Sequence, residues 1–250
     1  MMTILRTALW GSLLTAVSVA PTLAADKDLD LKKFSKVKIY APVDVDVVVG
    51  KSQSFTLQGR DEDLAKIIVK VKGDTLIIKK EKRSGRLKAV KAKVTVKALT
   101  DYTIYGSSDG AIHDLNNKTF DLVINGSGDV VLDGKSDELN MKINGSGDVS
   151  SQGFEATGIS TKINGSGDIS MTGTCKNIDV SISGSGDFEG RKMVCGEANV
   201  SVSGSGDVTV HASEAVNVRT SGSSDVDVYG KPKSVKHKSS GSSDFTVHDE

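Results

Sequence analysis

The sequence contains few of the residues that carry most catalytic and ligand chemistry. Its 250 residues include two cysteines, three prolines, four histidines and one tryptophan. The lysines are not interleaved with aromatic residues that could stack on bases, so nucleic-acid binding is not expected. No phosphate-binding loop, zinc-ligand motif or Gly-x-Ser-x-Gly nucleophile motif occurs. The scarcity of proline, in contrast, leaves nearly all of the chain free to form strands.

The long apolar segment at the N-terminus predicts export. Arg6 gives a positive start, and the stretch from Ala8 to Val19 is apolar but too short to span a bilayer. Thr22-Leu23-Ala24 then provides the small residues of a cleavage site. We predict a signal peptide at residues 1–24 and a mature protein that is periplasmic or extracellular. No later apolar run reaches 18 residues, so no transmembrane segment is expected in the mature chain.

The second half of the chain repeats the tetrapeptide Gly-Ser-Gly/Ser-Asp eight times. Successive motifs are 18 to 20 residues apart. Their aspartates are Asp109, Asp129, Asp148, Asp168, Asp187, Asp207, Asp225 and Asp244. A turn sequence at such a regular period is typical of a solenoid, in which each repeat is one coil stacked on the previous coil.

Alternating apolar residues on both sides of each motif predict the strands of a coil. Met141 and Ile143 precede one motif at odd offsets, and Val130 and Leu132 follow another. Strands that pair one coil later must run parallel, and parallel crossovers are right-handed in nearly all cases. We predict an all-β, right-handed parallel β-helix of about eight coils of 19–20 residues over residues 101–250. The apolar residues follow no six-residue period, which argues against a left-handed hexapeptide helix.

Residues 25–100 show strand patterns without the repeat and are predicted to form a non-repetitive β cap of the same domain. A short helical turn is expected at Asp61–Lys66 and a basic loop at Lys82–Lys91. The cap would cover the first coil, whose backbone groups would otherwise be unpaired. The expected strands are Val37–Tyr40, Val43–Val49, Phe55–Gln58, Ile67–Val71, Leu76–Ile78 and Val94–Val96.

The formal net charge of zero conceals two regions of opposite sign. Residues 26–100 carry 19 Lys and Arg against 10 Asp and Glu, whereas residues 101–250 carry 12 against 22. A basic cap therefore adjoins an acidic rod, and we interpret both charges as solvated faces. No comparable cap follows the last motif. Either the tail His248-Asp249-Glu250 blunts that edge, or the edge pairs with another copy to form a homo-oligomer.

The Gly-Ser-Gly-Asp-Val coils resemble the putative auto-transporter adhesin, head GIN domain family. The strand patterns at Val37–Tyr40 and Phe55–Gly59, joined through Val94-Thr95-Val96, carry the same resemblance. The resemblance covers nearly all of the mature chain. It implies a right-handed β-helix on an exported bacterial protein, with an adhesive role suggested by the likeness to autotransporter passengers.

The two cysteines, Cys175 and Cys195, lie one coil apart. Stacked positions on neighbouring coils are about 5 Å apart, a Cα separation that a disulfide accepts, and exported proteins meet oxidising conditions. We therefore predict a disulfide between them. The alternative is a pair of buried free thiols.

The eight stacked aspartates form the one column that could carry ligand chemistry. Carboxylates about 5 Å apart repel each other by about 0.8 kcal/mol per pair even in water. We expect each carboxylate to accept N–H and Ser O–H hydrogen bonds from its own corner, which would offset this repulsion. The alternative is a ladder of calcium sites, although calcium-binding β-rolls use a nine-residue Gly-x-Gly-x-Asp repeat. No other cofactor is expected.

An enzymatic reading has less support. Some right-handed β-helices are polysaccharide lyases or glycosidases, and neighbouring aspartates have the spacing of a retaining carboxylate pair. Because every coil repeats this spacing, it marks no unique catalytic site. His113, His211 and His248 each follow a motif aspartate by four residues, but even the closest two are about 10 Å apart and cannot share a metal.

Together these features predict an exported, non-catalytic β-helix that is adhesin-like, surface-binding or structural in the envelope. Its partner would be a macromolecule or a cell surface that the sequence does not identify. A calcium-binding solenoid module and a polysaccharide-active enzyme are the two rival classes.

Overall fold

The computed structural model describes residues 25–249, so the predicted signal peptide at residues 1–24 lies outside the described residues. The described part is a β-solenoid of about seven turns, in which seventeen strands join into one continuous sheet. The predicted all-β fold is therefore confirmed. Its strands are β1 Ala25–Asp28, β2 Lys36–Ile39, β3 Asp44–Val49, β4 Ser54–Gly59, β5 Ile67–Lys72, β6 Thr75–Lys80, β7 Lys91–Val96, β8 Asp101–Gly106, β9 Gly110–Gly126, β10 Val130–Gly145, β11 Val149–Gly165, β12 Ile169–Gly184, β13 Phe188–Gly204, β14 Val208–Gly222, β15 Val226–Tyr229, β16 Ser234–Gly241 and β17 Phe245–Val247.

The long strands β9 to β14 each wrap from one Gly-Ser corner to the next. Neighbouring coils pair in parallel and in register, so that Ile143 lies beside Ile124 on one side and Ile163 on the other. Identical phases of the repeat therefore stack into columns along the rod. The eight motifs form eight corners separated by seven turns, which agrees with the period read from the sequence.

Glycine is required at the corners because adjacent coils approach there through their backbones. A Cβ added to Gly165, the first glycine of its motif, would lie 2.1 Å from the carbonyl oxygen of Gly145 in the preceding coil. The same clash recurs along the rod, which explains why the motif keeps glycine where the period alone would accept other small residues.

The core is a single column of apolar side chains that runs from the cap to the last complete coil. Phe120, Phe154 and Phe188 are at most 1% exposed and fill the coil interiors. Each fully buried side chain of this size contributes about 1.5 to 3 kcal/mol of hydrophobic stabilisation. Tyr102 is also buried, where desolvation raises the pKa of its hydroxyl well above the ordinary value. Its hydroxyl donates to the carbonyl oxygen of Val45 at 3.4 Å.

The cap contains all six strands expected from the sequence and a short helix α1 at Asp61–Leu64. Its strands β2 and β3 pair in parallel with β8 and β9, and β6 and β7 pair in parallel with β2 and β3. The cap lacks the sequence motif, yet these four strands continue the ladder of the solenoid. The outer strands β5 and β4 reverse direction, since they run antiparallel to β6 and β7, and β1, antiparallel to β4, runs again in the direction of the solenoid.

A cluster of charged side chains fixes the helix end of the cap. Asp63 is fully buried beneath Arg60 and Lys66, and Lys66 Nζ lies 3.0 Å from its carboxylate. The hydrogen bonds from the Arg60 guanidinium and the Lys66 ammonium hold the pKa of the Asp63 carboxyl below its usual value. The buried carboxylate is thereby matched by two cations.

The last coil is more polar than the coils before it. Every residue of β16 is exposed, and His237 and Ser239 occupy the column positions of Val218 and Thr220 in β14. Lysines such as Lys236 alternate with them along this edge, and charged edge strands are a common protection against pairing with other chains.

Candidate functional site

The motif aspartates form one exposed column along the rod, as the period predicted. In each step the backbone N–H of one aspartate donates to Oδ1 of the aspartate in the preceding coil. The N···O distances lie between 2.8 and 3.4 Å from the Asp109–Asp129 step to the Asp225–Asp244 step. Each carboxylate thus links two coils.

The expectation that each carboxylate would be bound by its own corner was wrong about the donor. The stacking of the corners explains the difference, because it places the N–H of each coil directly beside the carboxylate of the preceding coil. A hydrogen bond to a charged acceptor contributes about 1.5 to 3 kcal/mol, with solvent-exposed sites at the low end. This is enough to offset the repulsion between neighbouring carboxylates in water.

The column contains a ninth carboxylate that does not belong to a Gly-Ser-Gly/Ser-Asp motif. Asp44, at the start of β3, accepts the N–H of Asp109 at 3.3 Å. The sequence signal was present, because Asp44-Val45 is the same Asp-Val pair that stands after Gly-Ser-Gly in the motif ending at Asp129-Val130. Without the preceding Gly-Ser, only the pairing of β3 with β9 reveals that it belongs to the column.

The structure gives this column no unique catalytic or metal-binding position. Within residues 25–249, no group of three or more His, Cys, Asp and Glu side chains is arranged to hold a metal ion. Shallow grooves run beside the column, lined in one stretch by Asp129, Asp148, Ser150 and Ser170. The grooves repeat from coil to coil and do not distinguish one carboxylate pair from the next.

A second set of ordered side chains lies on the outer face of the strands that precede the corners. Asn144 Nδ2 donates to Asn125 Oδ1 at 2.8 Å, and Asn164 Nδ2 donates to Asn144 Oδ1 at 2.9 Å. We call these three residues the amide ladder. The register continues the column through Ser183 and Ser203. The recurring Ile-Asn-Gly-Ser-Gly-Asp sequence could have predicted this ladder, since its asparagines keep a fixed offset from the motif.

The same outer face carries further polar pairs two columns away. Asn140 Nδ2 donates to Asp121 at 2.8 Å, and Asn199 Nδ2 donates to Asp179 at 2.8 Å. These bonds hold the side chains of adjacent coils in fixed positions. The face is therefore a regular array of oriented polar groups, spaced by the separation of neighbouring strands, about 4.8 Å.

The predicted cysteine pair is a disulfide in the structure. Cys175 on β12 lies directly beside Cys195 on β13, with a Cα–Cα distance of 4.5 Å. The bond joins two successive coils. Its two cysteines belong to a different column from the motif aspartates and from the amide ladder. Its role in this position is structural.

The three histidines that follow a motif aspartate by four residues, His113, His211 and His248, lie in coils too far apart to form a common site. His113 Nδ1 lies 2.6 Å from Asp133, and His248 Nε2 lies 2.6 Å from Asp227 in the preceding coil. His248 also stacks on Tyr229, with ring centroids 4.3 Å apart. These contacts tie neighbouring coils together at opposite ends of the rod.

The fold and the repeated surface define a parallel β-solenoid with an ordered exterior and a basic cap. The family model described as putative auto-transporter adhesin, head GIN domain, matches residues 33–154 and 133–232. The chain belongs to this family. No functionally curated protein matches it.

Solved structures with the same fold cover nearly the whole chain. A putative adhesin from Parabacteroides merdae has a TM-score of 0.84 at 16% identity, covering 92% of this chain and 98% of its own. A putative adhesin from Bacteroides fragilis has a TM-score of 0.70 at 21% identity, covering 90% and 97%. A putative lipid binding protein from Parabacteroides distasonis has a TM-score of 0.80 at 18% identity, covering 90% and 98%. At these identities the likeness shows the fold alone.

Proposed function

We propose that this protein is exported to the periplasm or the cell exterior, where it acts as a non-catalytic, adhesin-like binding protein. The amide ladder carries the proposal, because it orders polar side chains on an outer face before any partner arrives. The family description and the titles of the related adhesin structures support the adhesive class. Among residues 25–249, no helix is long and apolar enough to cross a membrane.

The regular spacing of the ladder suits an extended partner with repeating polar groups, such as a cell-surface polysaccharide. Asn125, Asn144 and Asn164 already hydrogen bond to one another, so a ligand would meet side chains whose rotamers are fixed. Binding to a preorganised surface avoids part of the entropy cost of ordering side chains. Weak contacts at each coil would then add up along the rod through multivalency.

The test is direct binding of the purified protein to immobilised bacterial surface polysaccharides. The variant Asn144→Ala/Asn164→Ala removes the ladder, and Ser150→Ala/Ser170→Ala changes two small polar residues beside the carboxylate column. Only the first pair is expected to weaken binding, by about tenfold, since one lost hydrogen bond contributes about 0.5 to 1.5 kcal/mol. Absence of binding by the unmodified protein, or equal loss in both variants, would contradict the proposal.

A further inference from the structure

The outer face of the cap carries a patch of exposed apolar and basic side chains. It lies on four adjacent strands, β5, β6, β2 and β8, whose register places alternate residues on the same side. One row runs from Lys70 through Ile77 to Lys38. We call the whole set the tyrosine–lysine patch. Its members are Lys38, Tyr40, Ile68, Lys70, Ile77, Lys79 and Tyr105.

Three of the large side chains in this patch are well exposed among the described residues. Ile68 is 46% exposed, Tyr40 41% and Tyr105 38%. The two tyrosine rings stack on each other, with centroids 4.4 Å apart and planes 4° from parallel. Contiguous exposed apolar surface bordered by charge commonly marks an interaction site.

The charge of the patch is positive. Lys79 Nζ lies 4.6 Å from the centroid of the Tyr40 ring. Within residues 25–249, Lys38 and Lys70 make no ion pair with an Asp or Glu side chain. Lys36 at the border differs, because it pairs with Asp74 at 3.4 Å and Asp101 at 3.9 Å.

The geometry of the rings distinguishes between anionic partners. Stacking on a sugar requires a free aromatic face, but one face of each tyrosine is covered by the other ring. The second face of Tyr40 is covered by Lys79. Ring edges and hydroxyls remain accessible, beside aliphatic side chains and ammonium groups. Tyrosine and lysine use these parts at a membrane interface, where the apolar body enters the headgroup region and the polar tip stays in water.

We propose that the tyrosine–lysine patch binds the surface of an anionic phospholipid bilayer. The lysines contact the headgroup phosphates, while Tyr40, Tyr105 and Ile68 enter the interfacial region. The patch adjoins the amide ladder on the same outer face, because Tyr105 lies beside Asn125 in the register, but neither proposal depends on the other.

Flotation with lipid vesicles tests the proposal on the purified protein without residues 1–24. We expect binding to vesicles of phosphatidylcholine and phosphatidylglycerol, no binding to phosphatidylcholine alone, and release as salt is raised. A lysine near an anionic surface strengthens binding about fivefold, so Lys38→Gln/Lys70→Gln should reduce the partition coefficient by about twentyfold or more. Tyr40→Ser/Tyr105→Ser should also reduce binding, although it leaves the charge unchanged.

The matched control is Lys142→Gln/Lys162→Gln, which makes the same charge change in the same column farther along the rod. It should leave vesicle binding within about twofold of the unmodified protein, since screening limits each charge to about 8 to 10 Å. Circular dichroism would confirm that all variants are folded. The proposal is overturned if anionic vesicles are not bound, or if the control pair loses as much binding as the patch pair. It is also overturned if the protein binds dextran sulfate, a soluble polyanion, through the patch lysines but does not bind anionic vesicles.

Discussion

The rod and the cap are two parts of one β-ladder that are stabilised in different ways. In the rod, residues 101–249, each coil meets its neighbours through the same columns of apolar side chains, glycines and carboxylates. The cap, residues 25–100, adds contacts that no other coil repeats, such as the Arg60–Asp63–Lys66 cluster and the stacking of Tyr40 on Tyr105 at its border with the rod. Repetition therefore builds length, whereas individual contacts end the ladder and give the cap a distinct surface.

The largest expected difference between the two regions concerns glycine. Gly165→Ala in the rod places a Cβ 2.1 Å from the backbone oxygen of Gly145, whereas Gly73→Ala in the cap hairpin meets nothing within 4 Å. We expect the rod substitution to cost about 4 kcal/mol or more. The cap substitution should cost only about 1 to 2 kcal/mol, the strain of a positive φ. Urea unfolding followed by circular dichroism measures both, and equal costs would show that corner packing does not govern the rod.

The disulfide should provide the next largest effect. Replacing Cys175 and Cys195 with alanine removes a link between residues 20 apart. In the chain-entropy model, a loop of this size contributes about 3 kcal/mol by restricting the unfolded state. The double variant should therefore unfold at lower urea concentration with unchanged secondary structure before the transition. An unchanged midpoint would mean that coil stacking alone sets the stability of this part of the rod.

The carboxylate column should show a smaller effect that separates hydrogen bonding from charge. Asp168→Asn keeps an oxygen that can accept the N–H of Asp187, whereas Asp168→Ala removes it. We expect alanine to cost about 1 kcal/mol, at the low end for a charged acceptor. Asparagine should be neutral or slightly stabilising at low salt, since about 0.8 kcal/mol of repulsion per neighbour disappears.

Calcium provides the complementary test of the column. The melting temperature in EDTA should equal that in millimolar calcium, because a column of coil-linking carboxylates needs no cation to form. A ligand specific to the folded state would raise stability by about 2.7 kcal/mol at a hundred times its dissociation constant. A rise that Asp168→Asn weakens would instead favour the calcium-binding alternative.

The last expected effect concerns the pH dependence of the cap. Because hydrogen bonds from Arg60 and Lys66 lower the pKa of Asp63 in the folded state, its stabilisation is present above the ordinary carboxyl pKa and is lost as pH falls. Asp63→Asn should lower the urea midpoint at pH 7, and the difference from the unmodified protein should shrink as the pH falls below the ordinary carboxyl pKa and through the lowered pKa of the folded state. A difference that persists in acid would point to altered packing rather than lost charge pairing.

The sequence predicted most of the rod because its period and its pairing coincide. Residues such as Ile124, Ile143 and Ile163 share a phase of the repeat, so stacking them needs no knowledge of distant parts of the chain. The cysteine pair could be predicted for the same reason. The donor to each carboxylate could not, because phase shows which residues are neighbours but not which backbone group points toward which side chain.

The cap was predictable only as a set of strands. Tyr40 and Tyr105 are 65 residues apart and become neighbours through the pairing of β2 with β8. The same kind of long-range pairing brings Asp44 beneath Asp109 and completes the column. No sequence period connects these residues. The alternation of apolar and polar residues therefore predicted which side of each strand is buried, but not which strands pair.

Local sequence thus determined the all-β character, the coil length, the glycine corners and the columns of the rod. These follow from side-chain alternation and backbone sterics, which act over a few residues and repeat with each coil. Tertiary structure alone decided how the cap continues the ladder, which strands reverse to end it, and where Tyr40, Tyr105 and the cap lysines meet. Contacts between segments without a shared period depend on the whole chain closing around one core.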